Sequence, residues 1–188
     1  MRKFNCIAVL SCFLLIFWRC GTGNEIIDPE GPPDPEKSRY ELAVKLDQLK
    51  FDHFQHISPT GQVSQLKETE VEKYFGKDKA YALPLEIKAT KDSAFLVKHG
   101  GITEAYKSKW EGGKLYISMA ADDQWELLGE RGKDTEFKTS LSFYIVRNEQ
   151  PSMTNIAKGH VYNLESYKSL RTSASMEVYW LTYGLLYK

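Results

Sequence analysis

The stretch "EFKTSLSFYIV", residues 136–146, alternates with a period of two. Phe137, Thr139, Leu141, Phe143 and Ile145 share one face, and Lys138, Ser140, Ser142, Tyr144 and Val146 the other. Successive side chains of a strand point to opposite sides, and threonine and aromatic residues suit a pleated, half-covered surface. The pattern predicts a half-buried strand that becomes apolar on both faces near its end.

The flanking sequence repeats the theme. "AYKSKWEGGKLYISMA", residues 105–120, reads as a hairpin: Tyr106, Ser108 and Trp110 alternate with lysines, Glu111-Gly112-Gly113 supplies the turn, and Leu115, Ile117 and Met119 resume the pattern. "QWELLG", residues 124–129, joins the strand at 136 through "ERGKDT" as a second hairpin. "LPLEIKA" and "AFLVK", residues 83–89 and 94–98, make a third around Thr90 to Ser93, and "KGHVYNL", residues 158–164, is a weaker strand. The closing segment "SMEVYWLTYGLLYK" carries Met176, Val178, Trp180 and Leu186 on one face and Tyr179, Leu181, Tyr183, Leu185 and Tyr187 on the other. A strand with no polar side must be central or wrapped by another element. Gly184 would permit a bend there.

One helix is expected at Ser64 to Phe75, with Ser64 as N-cap, Val71, Tyr74 and Phe75 as its apolar edge and Gly76 just past its end. "RYELAVKLDQLKFDHF", residues 39–54, fits both periods. Tyr40, Leu42, Val44 and Leu46 alternate as a strand, Leu42, Leu46 and Leu49 space as a helix, and the strand is preferred.

The chain has 188 residues, 42% apolar and 13% aromatic, enough for one well-packed domain. Its 25 basic and 25 acidic residues cancel, so nothing favours nucleic acid as a partner. The three cysteines, Cys6, Cys12 and Cys20, all lie near the start. Residues 38–188 therefore hold no disulfide, cysteine nucleophile or thiolate metal site.

That start has its own character. Arg2 and Lys3 precede the fifteen apolar-rich residues "FNCIAVLSCFLLIFW", after which come Arg19, Cys20 and the Gly- and Pro-rich "GTGNEIIDPEGPPDPEK". A membrane-spanning helix needs about 20 apolar residues and an export signal roughly 7–15, so length favours export over an uncleaved anchor. These residues resemble a bacterial lipoprotein signal peptide. The resemblance implies a signal peptide over 1–19, a diacylglyceryl group on Cys20 and a flexible tether over 20–37. In that family a small residue precedes the modified cysteine; Arg19 stands there in this chain, while "VLSC" at 9–12 has the small residue and makes Cys12 the alternative. Lipidation on one residue with several acyl chains holds stably, since each buried CH₂ contributes about 0.8 kcal/mol.

The folded part, 38–188, thus offers about eight strands joined mostly by short turns, which predicts a mainly β, antiparallel up-and-down barrel with one short helix, or alternatively a two-sheet β-sandwich. Over roughly 130 residues it resembles the lipocalin-like proteins found among bacterial lipoproteins. The Gly-x-Trp near the first strand of lipocalins is absent.

Chemistry is sparse. His53 and His56 form a His-x-x-His spacing that would share a face on a helix but not on a strand; with only His99 and His160 besides, they are expected to be solvent-exposed, and neither metal nor cofactor is expected. "KETEVEK" is a solvated face and "HGG" and "EGG" are turns. No nucleophile elbow, Walker loop or dinucleotide fingerprint is present. Tyr106, Trp110, Trp125, Tyr144, Tyr179, Trp180 and Tyr183 either pack strands or line a cavity. The expectation is a non-enzymatic protein of the cell envelope, membrane-tied at its lipid anchor, in the outer membrane. It would bind a small apolar or glycan ligand, or else serve as an interaction subunit with an envelope protein partner.

Overall fold

The computed structural model describes residues 39–118, 124–148, 154–171, 173 and 175–188. The leader at 1–19, Cys12, Cys20 and the tether at 20–37 lie outside the described residues.

Among the described residues ten strands follow one another: β1 (Leu42–Ile57), β2 (Val63–Gln65), β3 (Pro84–Ala89), β4 (Ser93–Lys98), β5 (Thr103–Glu111), β6 (Lys114–Ser118), β7 (Glu126–Arg131), β8 (Phe137–Asn148), β9 (Thr154–Tyr162) and β10 (Met176–Tyr187). All their pairings are antiparallel, and the path β1-β3-β4-β5-β6-β7-β8-β10 returns to β1 and closes an eight-stranded barrel. Closure removes the free edges that a sandwich would have left.

The spine of the barrel is the trio β1, β10 and β8. β10 pairs with β8 along its whole length, from Met176 opposite Asn148 to Tyr187 opposite Phe137. On its other side it pairs with β1 from Val178 opposite Ile57 to Tyr187 opposite Leu46. The last strand in sequence is therefore central, as its two apolar faces required. Leu181, Tyr183, Leu185 and Tyr187 are buried in the barrel interior with Leu96, Leu115, Leu128, Phe137 and Leu141. Val178 and Trp180 point outward and are buried against Leu164, Tyr167 and Leu170 of the segment that precedes the strand.

The strand at 137–148 behaves as its alternation demands. Phe137, Thr139, Leu141, Phe143 and Ile145 are buried inward; Lys138 is exposed, whereas Ser142 and Val146 are covered further along. The β5–β6 turn is a two-residue loop in which Gly112 and Gly113 both have positive φ, 58° and 82°, the geometry that matches the twist of the joined strands. Where β7 crosses β8, a Cβ on Gly129 would sit 2.5 Å from the Lys138 carbonyl oxygen and 2.7 Å from the Phe137 ring, so this close approach requires glycine.

β1 resolves the ambiguous segment as a strand, sixteen residues long, with register shifts between Leu46 and Gln48 and between Phe51 and His53. The helix is shorter than expected. Ser64 lies in β2, opposite His56, and does not cap it. A 3-10 turn at Glu68–Glu70 leads into α1 (Val71–Phe75), which Gly76 ends at φ 68°. Pairing with β1 claimed Ser64, so the cap signature lost to a tertiary contact. Val71 and Phe75 of α1 are buried, with Phe75 against Phe54 and Phe143, so the helix covers part of one end of the barrel.

At the opposite end Arg131 lies over the Trp110 ring, 4.5 Å from its centroid, and donates to the Glu41 carbonyl oxygen at 3.0 Å.

Candidate functional site

β8 is twelve residues long, yet β7 pairs with it only at Phe137 and Lys138. From Leu141 onward the same edge of β8 is taken by β9, from Tyr162 opposite Leu141 to Thr154 opposite Asn148. The wall thus forks. Asn163, just past β9, holds the fork together: its Nδ2 donates to the carbonyl oxygens of Leu127 and Leu128 at 2.7 and 2.9 Å, and its Oδ1 accepts from the Ser140 backbone at 3.1 Å.

Beyond the fork the strands part and leave a recess of about 220 Å³ lined by Tyr106, Ile117, Gln124, Glu126, His160, Val161 and Tyr162. Ile117 and Tyr162 are buried and form its floor, Tyr106 is a half-buried wall, and Gln124, Glu126 and His160 are exposed at the rim.

A charged network backs the wall. Lys98 follows Ala94 and Leu96 in phase along the inner face of β4 and is only 6% exposed. Its Nζ donates to Glu104 Oε1 at 2.6 Å, and the Tyr106 hydroxyl donates to Glu104 Oε2 at 2.7 Å. A buried ammonium needs such a partner, because leaving water unpaired costs several kcal/mol, to order of magnitude. Burial pushes the Glu104 carboxyl up, but the hydrogen bonds from Lys98 and Tyr106 and the Lys98 charge outweigh it and hold the group below its ordinary value. Burial and donation to Glu104 push the Tyr106 phenol well up. The flanking protein and then the Lys98 charge push the His160 imidazole down, against a smaller pull from Glu104.

Among the described residues five buried side-chain atoms lack a hydrogen-bond partner: the Tyr162 hydroxyl, Ser108 Oγ, Trp110 Nε1, Trp180 Nε1 and Glu177 Oε1. Tyr162 is 8% exposed, and burial drives its phenol strongly up. Unsatisfied buried hydroxyls are uncommon in folded proteins. Tyr187, by contrast, donates to the Pro84 carbonyl oxygen at 2.9 Å.

The histidines at 53 and 56 point to opposite faces, as a strand requires, and both are half-buried instead of exposed. His56 turns inward, bonds Glu177 Oε2 through Nε2 at 2.9 Å and stacks on Tyr179 at 4.6 Å; Tyr74 of α1 also stacks on Tyr179 at 4.6 Å. His53 turns outward, edge-on to Trp180 at 4.4 Å. Its Nδ1 bonds Asp52 Oδ2 at 2.9 Å and its Nε2 meets Thr182 Oγ1 at 3.3 Å. Carboxylate, imidazole and hydroxyl in that order have the connectivity of a nucleophilic triad. Thr182 is only 4% exposed, however, and its hydroxyl is bound at 2.8 Å to Ser142, which is fully buried. No substrate carbonyl can reach that oxygen, so the arrangement stitches β1, β10 and β8 together. Among the described residues no group of three or more His, Cys, Asp or Glu side chains could hold a metal ion. No helix among them is long and apolar enough to cross a membrane.

The seven aromatics singled out in the sequence do not line one cavity. Tyr106 alone belongs to the recess. Tyr179 and Tyr183 pack in the interior, Trp180 and Tyr144 in the outer cluster, Trp110 against Phe137, and Trp125 lies outside beneath Lys109. The site residues that sequence reasoning missed are Lys98, Glu104, His160 and Tyr162. One clue to Lys98 was available: it is a charged side chain in phase with the apolar face of its own strand. No family model matches the chain, and it matches no curated protein and no solved structure.

Proposed function

We propose that this chain is a lipid-anchored protein of the bacterial cell envelope whose β-barrel binds a small ligand in the recess between β5, β6, β7 and β9. The observation that carries the ligand-binding reading is the recess itself, with buried Ile117 and Tyr162 beneath polar Gln124, Glu126 and His160, and with Tyr106 in its wall held by Glu104. Small-molecule sites combine a concave apolar floor with a few convergent polar groups, and this recess has that composition. The anchor in this reading is Cys20, and the outer membrane is the membrane we assign. The protein is non-enzymatic in this reading, and the triad-like arrangement at Asp52, His53 and Thr182 is closed to substrate.

The test is a thermal-shift screen of the detergent-extracted full chain against a panel of sugars, lipids and small acids. One class should raise the melting temperature, and Gln124→Trp, which plugs the mouth from its exposed rim, should abolish the rise. No shift from any class, or a shift indifferent to the plug, would refute the assignment of the recess.

The second reading, an interaction subunit of an envelope complex, is favoured by Tyr81 and Ile102, which are 61% and 57% exposed. A partner captured from the envelope by the wild type and lost in Tyr81→Ser with Ile102→Ser would support it.

A further inference from the structure

We infer that β9 accepts an extended peptide strand along its outer edge, and that the recess takes one large apolar side chain of that strand. The inference needs the recess to be open to a guest, as the ligand-binding reading does, and adds a peptide partner on the edge beside it.

The edge comes first. β9 pairs with β8 on one side, and among the described residues no strand takes its other side. The direction of its backbone groups follows from the ladder. The Asn163 N–H donates to the Ser140 carbonyl oxygen at 2.9 Å, so the even-numbered residues of β8 bond toward β9. Antiparallel partners alternate between bonded and non-bonded pairs. Val161 opposite Ser142 and Gly159 opposite Tyr144 therefore bond to β8. Lys158 and His160, opposite Ile145 and Phe143, turn their N–H and C=O groups away from it. Both residues are exposed. An exposed row of such groups is a template for another strand.

The recess adjoins that same edge. It touches His160, Val161 and Tyr162 in succession. A hollow against one face of a strand would touch alternate residues, so this one lies beside the strand. His160 shares the inner face with Phe143, its ring 6.1 Å away. A residue paired opposite His160 would turn its side chain to that face, where Tyr106, Ile117 and Tyr162 lie. The recess holds about 220 Å³, more than the roughly 150 Å³ apolar cavity that holds one benzene, so a phenylalanine ring fits. Strand addition draws affinity from main-chain hydrogen bonds and specificity from pockets for alternate side chains, and both features stand here side by side.

Charge sets the next position. Two residues further along an antiparallel partner, the side chain stands opposite Lys158 on that same face. β9 carries this cation and no acid, so an acidic side chain there completes a cross-strand pair. The partner is thus an extended segment with a large apolar residue followed, two places on, by an aspartate or glutamate. A second copy of this chain fits less well, because its β9 offers Lys158 no counter-charge in any register.

The experiment is fluorescence anisotropy with the detergent-extracted full chain. The probe is the fluorescein-labelled peptide TVTFTET, whose phenylalanine faces His160 when its glutamate faces Lys158. It should bind saturably, and unlabelled TVTATET and TVTFTKT should compete more weakly than TVTFTET. N-methylation at the phenylalanine and glutamate, which removes the two donors to β9, should weaken binding about tenfold. Lys158→Glu should reverse the charge preference, favouring TVTFTKT by up to about fivefold. Gln124→Trp should erase the advantage of TVTFTET over TVTATET. His160→Pro removes the outward N–H and leaves the β8 ladder whole, as proline at a strand edge does; it should melt as the wild type does and lose the peptide. No saturable binding, or binding indifferent to N-methylation and to Lys158→Glu, overturns the inference. The small-ligand reading then stands if Gln124→Trp still abolishes a small ligand's thermal shift, and falls with it if no such shift exists. Self-association of the chain that His160→Pro removes would give the edge to a second copy and overturn the peptide.

Discussion

The side-chain amide of Asn163 lies 2.7 Å from the Leu127 carbonyl oxygen, and so joins the end of β9 to a strand that it never pairs with. Asn163 itself sits at φ 48°, a region that asparagine tolerates better than most residues. Both its side-chain atoms and its backbone are thereby specified.

Asn163→Ala should destabilise the domain by about 2–3 kcal/mol, since it strands the Leu127 and Leu128 carbonyls and the Ser140 amide at once. Asn163→Asp should cost at least as much, because a carboxylate would face two carbonyl oxygens. Urea denaturation measures both. A loss below about 0.5 kcal/mol in each, the level of a neutral surface change, would show that the fork is closed by something else.

The final strand should be indispensable. Deleting residues 176–188 removes the partner of both β1 and β8 and opens the barrel along its spine. Leu181, fully buried, should cost about 2–5 kcal/mol on truncation to alanine, and Trp180→Ala on the outer face a few kcal/mol as well. A deletion variant that still melts cooperatively near the wild-type temperature would make the strand peripheral.

Stability should fall at both ends of the pH scale. Burial holds the Tyr106, Tyr162 and Tyr187 phenols above their ordinary value of 10.0. Above about pH 10 the unfolded chain sheds these protons while the folded one keeps them, so the unfolded state binds fewer protons and stability declines as pH rises. Glu104 acts in the opposite window. Its carboxyl is held below the ordinary 4.5, so the stability it contributes is present above that value and is lost as pH falls through the lower folded value. Equilibrium denaturation across the range should show both limbs, and Tyr162→Phe should soften the alkaline one. An alkaline limb unchanged in Tyr162→Phe and Tyr187→Phe together would contradict this assignment.

Cys20 should carry the lipid. Radiolabelled palmitate should enter the wild-type chain and be absent from Cys20→Ala. Label that persists there and vanishes in Cys12→Ala would move the anchor to Cys12, and no label in the wild type would favour an uncleaved anchor.

The sequence by itself determined the strands and their turns, because both are written in local physics. Alternation in 136–146 and 105–118 reports which faces meet water, and Gly112-Gly113 permits the left-handed backbone of a tight hairpin. The two-faced closing strand even announced its own centrality, since Val178 and Leu181 could not both be buried at an edge. Tertiary structure alone decided the rest. Ser64 had the chemistry of a helix cap, but a pairing with His56, set by the path of β1, drew it into a strand. Whether β8 is flanked by β7 or β9 depends on contacts between segments distant in sequence, and no local period encodes where that exchange occurs. The recess exists because of that exchange. Lys98, Glu104, Tyr106, His160 and Tyr162 come from three strands, and only the tertiary fold brings them to one place, where burial then forces the Lys98 and Glu104 charges to pair.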